Sequence, residues 1–274
     1  MSKASELEIA IANAAKSGDA LPQILPHWML NLGILPGNLI TSSERIGNKS
    51  TTTKTDVLIK LQESPPLKIS AKLSNADYFG NWYGHKRFIK EFGYEAFYKM
   101  TDKVTEWANN WAQNPNASLF VGVSISFGYR TGNTSIEFLE VFNNIDELKK
   151  IIAGVGNGDE VANCLYVSDQ YPQNIQQIIE NLSPFDNQSI SAQSKKIKIV
   201  CRPVNPMTER SNRGKNIYTK FQPYQALKNQ TSVNTLEALI KLGRFITVEP
   251  EKVNHNKILN DLESNYNILI PRKL

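Results

Sequence analysis

Residues 55–61, TDVLIKL, and residues 67–73, LKISAKL, decide the fold of this chain. Both stretches are rich in apolar and β-branched residues, and the second alternates apolar with polar side chains, as a half-buried β-strand does. Pro65 and Pro66 lie between them and cannot continue a central strand, because proline has no N–H to donate. The two stretches are therefore predicted to form a β-hairpin.

On both sides of the hairpin, segments whose apolar residues recur at helical spacing alternate with short apolar runs that are typical of strands. The polar, turn-rich residues 38–54 precede the hairpin, and a long helix with a break near Gly93 is predicted to follow it. Helices are predicted at 5–17, 22–32, about 82–113, 145–152, 173–181, 234–242 and 255–264, and further strands at 118–129, 135–142 and 196–202.

The order of these elements indicates the fold class. A helix between two strands of one sheet implies a right-handed crossover, so the strands at 67–73 and 118–129 are expected to pair in parallel. We expect an α/β (α+β) fold with a mixed central sheet flanked by helices. No internal repeat or long linker is visible, so residues 1–274 are expected to form a single domain.

Composition narrows the class of protein. The formal charge of +5 and the sequence pI of about 9.0 favour a polyanionic partner. No apolar run is long enough to span a bilayer, and the first residues lack the layout of a secretion signal, so a cytoplasmic protein with no membrane partner is expected. Cys164, Cys201 and the three histidines are scattered, which argues against zinc and favours reduced thiols.

The hairpin also carries the residues that point to chemistry. Pairing of its strands brings Asp56 next to Lys72. Alternation places Ser70 and Lys72 on one face of the second strand, with Ile69 and Ala71 on the other. Hydrolysis of a phosphodiester needs a carboxylate that holds a divalent metal, and it gains from a cation near the attacking water. An exposed ion pair is the alternative interpretation of Asp56 and Lys72.

This pattern resembles the PD-(D/E)xK nucleases, and type II restriction endonucleases in particular. Their core is a strand hairpin that carries Asp and (D/E)-x-K, followed by a helix and another strand. The resemblance covers roughly residues 40–130, with a nuclease core at about 40–142. It implies that Asp56 binds Mg²⁺, for which Mn²⁺ can substitute, that the Ala71 carbonyl assists, and that Lys72 positions or activates water.

Two positions depart from the family motif. Thr55 stands in the place of the proline, and Ser70 stands in the place of the second acid. A hydroxyl is a weaker metal ligand than a carboxylate, so an acid from elsewhere is expected to complete the site. Glu44 is favoured because it precedes the hairpin, as an upstream helix acid does in related enzymes, and Glu91 comes second. Asp77 is a further candidate.

A DNA-facing surface is expected in the C-terminal region, at about 190–274. Between residues 195 and 228, basic side chains outnumber the single acid Glu209 and can supply phosphate contacts. The basic residues are Lys195, Lys196, Lys198, Arg202, Arg210, Arg213, Lys215, Lys220 and Lys228. The side chains expected to contact DNA are Lys54, Asn81, Lys86, Arg87, Arg202, Arg210, Asn212, Arg213 and Lys215. A solvated basic loop beside the acidic stretch 146–160 is the alternative.

The residues from Gly154 to Gly158 only superficially resemble a phosphate-binding loop and are predicted to form a turn. Together, these patterns favour a sequence-specific, Mg²⁺-dependent endonuclease that cuts double-stranded DNA, a type II site-specific deoxyribonuclease. A homodimer is expected, because a two-fold enzyme can cut both strands of a palindrome. A DNA-binding protein without catalysis, a structure-directed nuclease of the same fold and an α/β protein unrelated to DNA are the alternatives.

Overall fold

The structure, a computed structural model, describes every residue except 1, 47–53, 75, 77–81, 131, 143, 157, 209–215, 252 and 274. The helices are α1 (Lys3–Ala14), α2 (His27–Asn31), α3 (His85–Trp111), α4 (Ile145–Ala153), α5 (Ile175–Glu180), α6 (Asn187–Ser194), α7 (Leu236–Ile240) and α8 (His255–Tyr266). The strands are β1 (Ile40–Arg45), β2 (Val57–Leu61), β3 (Leu67–Lys72), β4 (Gly122–Gly128), β5 (Ser135–Glu137), β6 (Cys164–Val167), β7 (Leu182–Pro184), β8 (Lys198–Pro203), β9 (Thr219–Pro223), β10 (Thr231–Ser232), β11 (Gly243–Thr247) and β12 (Ile268–Leu269).

The chain forms two compact units, each built from two separate stretches. The first unit contains Met1–Phe79 and Asn144–Lys196. The second unit contains Gly80–Asn143 and Ile197–Leu274. Both units combine helices with β-structure, which confirms the α+β class. The second segment of the first unit therefore follows a long excursion of the chain into the second unit.

The first unit is built on a five-stranded sheet with the order β1-β2-β3-β6-β7. β2 and β3 pair antiparallel with Val57 opposite Ile69, which confirms the predicted hairpin. β3 pairs in parallel with β6, and the other neighbours pair antiparallel. α1 packs its apolar stripe, which includes Leu7 and Ile11, into a core shared with the hairpin strands and α5. This packing fixes α1 against the part of the sheet that carries Asp56.

The second unit is built on an antiparallel sheet with the order β11-β9-β4-β8-β5. β4 is buried at every position and lies in the middle of this sheet, as its apolar sequence predicts. The core beside it is rich in aromatic rings. Phe88 and Phe97 of α3, for example, both contact the ring of Tyr218.

The predicted parallel pairing of β3 with β4 is wrong. β3 and β4 belong to different sheets, so the helix between them does not join parallel neighbours. The parallel neighbour of β3 is β6, and the helix that precedes β6 is α4. Residues 80–143 belong to the second unit and are inserted between the hairpin and the rest of its sheet.

Three local predictions also need correction. The polar residues before the hairpin include strand β1, which occupies the edge of the first sheet and leaves much of its length accessible. The helix predicted at 22–32 is limited to α2, because Pro26 lies directly before its first residue and cannot be part of a longer helix interior. The predicted strand at 135–142 ends at Glu137 and continues as a 3₁₀ turn.

Among the described residues, no helix is both long enough and apolar enough to cross a membrane. Cys164 and Cys201 are buried as free thiols, and burial raises the pKa of both. The expectation of reduced, structural cysteines is confirmed in this respect.

The break within α3 is confirmed and can be tested. Gly93 has φ 85° and ψ 173°, a conformation that side chains with a Cβ rarely adopt. Gly93→Ala is therefore expected to lower the free energy of unfolding by about 1–3 kcal/mol in a denaturant titration. In a regular helix the same change would raise stability by up to about 1 kcal/mol, so the sign of the effect tests the break. Lys90→Ala, at an exposed position of α3, is the control and is expected to change little.

Candidate active site

Asp56 lies directly before β2 and is held by β3. Its N–H donates to the carbonyl of Ile69 at 2.8 Å, which continues the hairpin ladder. Its carboxylate oxygen Oδ2 accepts hydrogen bonds from the N–H of Ala71 and from Nζ of Lys72, both at 2.8 Å. Lys72 also donates to the carbonyl oxygen of Ala71 at 2.9 Å. The predicted proximity of Asp56 and Lys72 is thus present in the structure.

This pair differs from an ordinary surface ion pair in its surroundings. The side chains of Asp56 and Lys72 are only 22% and 15% exposed. Partial burial reduces screening by water, so the charges interact more strongly than they would on the surface. The main-chain N–H of Ala71 also fixes the carboxylate, so its position does not depend on Lys72 alone. The arrangement is a fixed, partly accessible carboxylate beside a cation.

The oxygen atoms around Lys72 are of the type that binds a hard divalent cation. Oδ2 of Asp56 and the carbonyl oxygen of Ala71 both lie within 2.9 Å of the ammonium nitrogen, so two oxygens already converge on one positive charge. Mg²⁺ prefers such oxygen ligands and is commonly held by one or two carboxylates together with substrate phosphates. No group of three or more His, Cys, Asp or Glu side chains that could hold a metal occurs among the described residues. The donor set therefore fits Mg²⁺ but not a closed structural metal site.

A second carboxylate near this site comes from Glu8, which the sequence did not single out. Glu8 lies on α1, and its Oε2 accepts a hydrogen bond from Nε of Arg45 at 2.5 Å. Its side chain is 14% exposed, and its charge interacts with both Asp56 and Lys72. The available signal was its place beside the apolar stripe of α1, between Leu7 and Ile11. Glu8 is therefore a carboxylate on a helix upstream of the hairpin, in the part of the chain where the family resemblance led us to seek an acid at Glu44.

The pKa of Glu8 is raised above its ordinary value of 4.5. Burial is the main cause and the neighbouring charge of Asp56 is the second, while Arg45 and Lys72 act in the opposite direction. The carboxyl of Glu8 therefore holds its proton to a higher pH in the folded protein than in the unfolded chain. Ionisation of the Glu8 carboxyl therefore lowers the stability of the folded protein.

This shift gives a pH dependence of known sign. The contribution of Glu8 to stability is fully present below pH 4.5 and is lost as the pH rises through its raised pKa. We expect Glu8→Gln to gain stability relative to the wild type across that interval, with a constant difference at higher pH. Denaturant titrations from acid to neutral pH, with EDTA present, measure the difference. If instead the wild type gains stability relative to Glu8→Gln as the pH rises, the ion pair with Arg45 dominates and the pKa of Glu8 is lowered.

The two acids favoured from the sequence have described contacts with basic side chains of their own. Glu44 is on β1, with its side chain 53% exposed and 3.9 Å from Nζ of Lys60. Glu91 is on α3 in the second unit, is 7% exposed, and accepts a hydrogen bond from Nε of Arg87 at 2.7 Å. Asp77 lies outside the described residues. Glu8 is an acid whose charge interacts with that of Asp56.

Ser70, at the motif position of the missing acid, is completely buried. Its hydroxyl forms no hydrogen bond in the part of the chain that the structure describes. An unsatisfied buried hydroxyl destabilises the folded state by about 1–3 kcal/mol. The side chain therefore makes no described contact that would let it replace the acid.

Ser70→Ala is expected to raise the free energy of unfolding by about 1 kcal/mol, because it removes a buried polar group that has no partner. Denaturant titration measures the change. Thr219→Val is the matched comparison, since the buried hydroxyl of Thr219 donates to the carbonyl of Ile246 at 2.9 Å and its loss should destabilise. A clear loss of stability in Ser70→Ala would indicate that the hydroxyl has a partner.

The residues expected to contact DNA are only partly described. Lys86 is exposed on α3, whereas Arg87 lies over the ring of Tyr83 and bonds to Glu91. The guanidinium of Arg202 lies 5.1 Å from the ring centroid of Trp82. Asn81, Arg210, Asn212, Arg213 and Lys215 lie outside the described residues.

Lys54, which precedes the hairpin, is fixed through its main chain. Its N–H donates to the carbonyl of Glu160 at 2.9 Å, and its side chain lies next to Gly154. In the basic segment, Lys198 bonds to Glu137 of the neighbouring strand. Lys54 and Lys198 thus both make contacts within their own units.

The site as a whole combines elements that are distant in sequence. The hairpin supplies Asp56, the Ala71 carbonyl and Lys72, and α1 supplies Glu8. These groups provide two carboxylates and an ammonium in a partly accessible position, which suits the binding of a divalent cation and the hydrolysis of an anionic ester. Comparison of the chain with protein-family profiles, curated proteins and solved structures finds no match.

Proposed function

We propose that this protein hydrolyses phosphodiester bonds of double-stranded DNA with Mg²⁺, at a site formed by Asp56, Lys72 and Glu8. The observation that carries the proposal is the convergence of Asp56 Oδ2 and the Ala71 carbonyl on the ammonium of Lys72, at 2.8 and 2.9 Å. A carboxylate, a carbonyl and a lysine so placed are the groups that the PD-(D/E)xK resemblance implies.

The order of elements in the first unit supports this proposal. The hairpin β2–β3 is followed, within that unit, by helix α4 and by strand β6 parallel to β3. A hairpin, a helix and a further strand are the elements by which the nuclease core was described above. The resemblance therefore extends to α4 and β6, in place of the helix and strand of the second unit.

The chemistry of the site follows from its charges. When bound, Mg²⁺ would neutralise the phosphate and lower the pKa of a bound water. Asp56 and the Ala71 carbonyl are the groups that would hold it, with Glu8 as the second carboxylate. Lys72 stabilises the negative charge that develops when the water oxygen bonds to phosphorus. The phosphorus–oxygen bond to one sugar would then break, and the proton lost by the attacking water would balance the proton that this sugar oxygen takes up.

Sequence specificity and a homodimer belong to the same proposal. The basic segment from Lys195 to Lys228 can supply phosphate contacts, and its Arg and Asn side chains can read base edges. A two-fold dimer would place one site on each strand of a palindrome. Analytical ultracentrifugation with and without a DNA duplex is the direct measurement of this assembly.

Cleavage of plasmid DNA tests the proposed function. Purified protein with Mg²⁺ or Mn²⁺ is expected to give discrete fragments, and EDTA is expected to prevent them. A smear would support a nuclease without sequence preference. Binding of DNA that weakens with salt, without cleavage in either metal, would support a DNA-binding protein and would contradict the proposed catalysis.

A further inference from the structure

A large pocket in the first unit lies apart from the side chains of the candidate active site. Its volume is about 800 Å³, which is within the range of small-molecule sites. One part of its lining comes from β3 and α4, another part from α2 and the segment after β7, and the glycine-rich turn after α4 also contributes. Every residue that lines it belongs to the first unit.

One wall of this pocket is cationic. Lys68 of β3 and Lys149 and Lys150 of α4 all line it. On α4 the lining residues recur at the spacing of one helix face, from Asp146 through Lys149 and Lys150 to Ala153. Lys149 is exposed, and Lys68 uses one of its three donors on the carbonyl of Gly158 at 2.8 Å. The wall therefore has donors available for an anion.

Carboxylates also lie at this pocket. Asp146 and Asp186 line it, and Lys150 is bonded to Glu147 at 2.9 Å, so Lys68 and Lys149 are the lining lysines outside that ion pair. The carboxylate of Asp186 accepts a hydrogen bond from the N–H of Ser189, at the start of α6. A capping carboxylate is held by the positive end of its own helix, so its charge is partly compensated there. Lys68 and Lys149 are therefore the cations that can meet an anionic group.

The other wall is apolar and aromatic. Trp28 and Leu32 line it, together with Phe185. Trp28 packs against the core of the first unit and is partly accessible, so one part of the indole is fixed while another borders the pocket. Flat aromatic side chains of this kind bind nucleobases by stacking. A ligand that carries an anionic group and a flat ring would match both kinds of lining residue.

The pocket is connected to the catalytic hairpin by direct contacts. The carbonyl of Glu160, in the segment after the glycine-rich turn, accepts hydrogen bonds from the N–H groups of Lys54 and Thr55 at 2.9 and 3.2 Å. These two residues directly precede Asp56. Lys68 and Lys72 lie on the same face of β3, four residues apart, which corresponds to about 13 Å along a strand. A strand of nucleic acid can extend over such a distance.

We propose that this pocket is a nucleotide subsite of the substrate strand, with a phosphate at Lys68 and Lys149 and, against Trp28, a base that has been flipped out of the duplex. The inference rests on the proposed function, because the nucleotide belongs to the strand that is cut at Asp56. A free mononucleotide offers the same chemistry, and the experiment separates the two sources. The turn after α4 has positive φ at Gly154, Gly156 and Gly158, which suits a tight rim around a ligand.

The test measures binding in EDTA, so that no cleavage is needed. Fluorescein-labelled single-stranded DNA, labelled duplex DNA and deoxyadenosine monophosphate are titrated separately. Lys149→Glu is expected to weaken binding of single-stranded DNA about tenfold and to lower its salt dependence by about one phosphate contact. The matched control is Lys16→Glu, which reverses an exposed charge of the same unit outside the pocket and should bind as the wild type does.

Indole fluorescence reports the base directly. Nucleotide binding is expected to change the emission of the wild type, and Trp28→Phe should lose most of that change while it keeps an aromatic wall. Trp107→Phe is the control, because Trp107 lies in the second unit and donates to the carbonyl of Asn133. If Lys149→Glu and Trp28→Phe both behave as the wild type does, the subsite is refuted.

The remaining outcomes separate this inference from the proposed function. If Lys149→Glu weakens DNA binding but the wild-type protein does not cut DNA with Mg²⁺, the nucleotide site is supported and the nuclease is refuted. Efficient cleavage with no effect of either pocket variant would keep the nuclease and refute the subsite. Binding of the mononucleotide as tight as that of DNA would support a free nucleotide as the ligand.

Discussion

Asp56→Asn is expected to lower the rate of DNA cleavage at least about a thousandfold, because it removes the negative charge that would hold Mg²⁺. Asn is close to Asp in size and keeps an oxygen that can accept the hydrogen bond from the N–H of Ala71, which Asp56 accepts at 2.8 Å. The loss is therefore expected without collapse of the hairpin. Cleavage of plasmid DNA over a range of Mg²⁺ concentrations measures it.

Two comparisons keep this result specific. Asp19→Asn removes an exposed carboxylate of the same unit and is expected to cut DNA as the wild type does. Binding of DNA in EDTA should persist in Asp56→Asn, which shows that the variant is folded.

The same reasoning applies to the lysine of the pair. Lys72→Ala is expected to lose cleavage, whereas Lys60→Ala, on the neighbouring strand with its side chain 50% exposed, is not. Cleavage that persists in both Asp56→Asn and Lys72→Ala would refute this active site and leave the pair as a structural contact.

Local features of the fold were predictable because they depend on neighbouring residues. The alternation in β3 correctly placed Ile69 and Ala71 in the apolar core. Glycine also marked the break in α3, since Gly93 is the residue with non-helical angles. Each of these features follows from the period of a single strand or helix.

The pairing of the strands was not predictable in the same way. After the hairpin the chain forms a helix and an apolar strand, and that order suits a crossover in one sheet. Residues 80–143 instead belong to a second unit, and β3 pairs with β6. Ser70 and Leu165 become neighbours across nearly a hundred residues, which no local pattern records. Long insertions of this kind are compatible with stability, because the entropy of closing a loop grows slowly with length.

Glu8, the proposed second acid, was missed for a related reason. Glu44 is closer to Asp56 in sequence, but it lies on an edge strand with half of its side chain exposed. Glu8 is much farther away along the chain, and the packing of Leu7 and Ile11 against the hairpin strands brings α1 to the site. Distance along the chain could not single out Glu8, because the packing of the core determines which helix faces the hairpin.

Glu8→Gln is expected to lower the rate of cleavage about a hundredfold and to raise the Mg²⁺ concentration needed for half of the maximal rate. The variant keeps the size of the side chain, and its amide oxygen can still accept a hydrogen bond from Arg45. What it removes is a negative charge that acts on Asp56 and Lys72. Cleavage at increasing Mg²⁺ concentrations separates weaker metal binding from a slower reaction at saturation.

Two further variants make the assignment of the second acid decisive. Glu6→Gln changes the same helix at a carboxylate that accepts a hydrogen bond from Tyr171, so it should leave cleavage unchanged. Glu44→Gln tests the acid that the sequence favoured. Loss of activity in Glu44→Gln with full activity in Glu8→Gln would make Glu44 the second acid and Glu8 a structural partner of Arg45. Loss in Glu8→Gln alone would assign the role to α1, where burial holds a carboxylate whose charge interacts with that of Asp56.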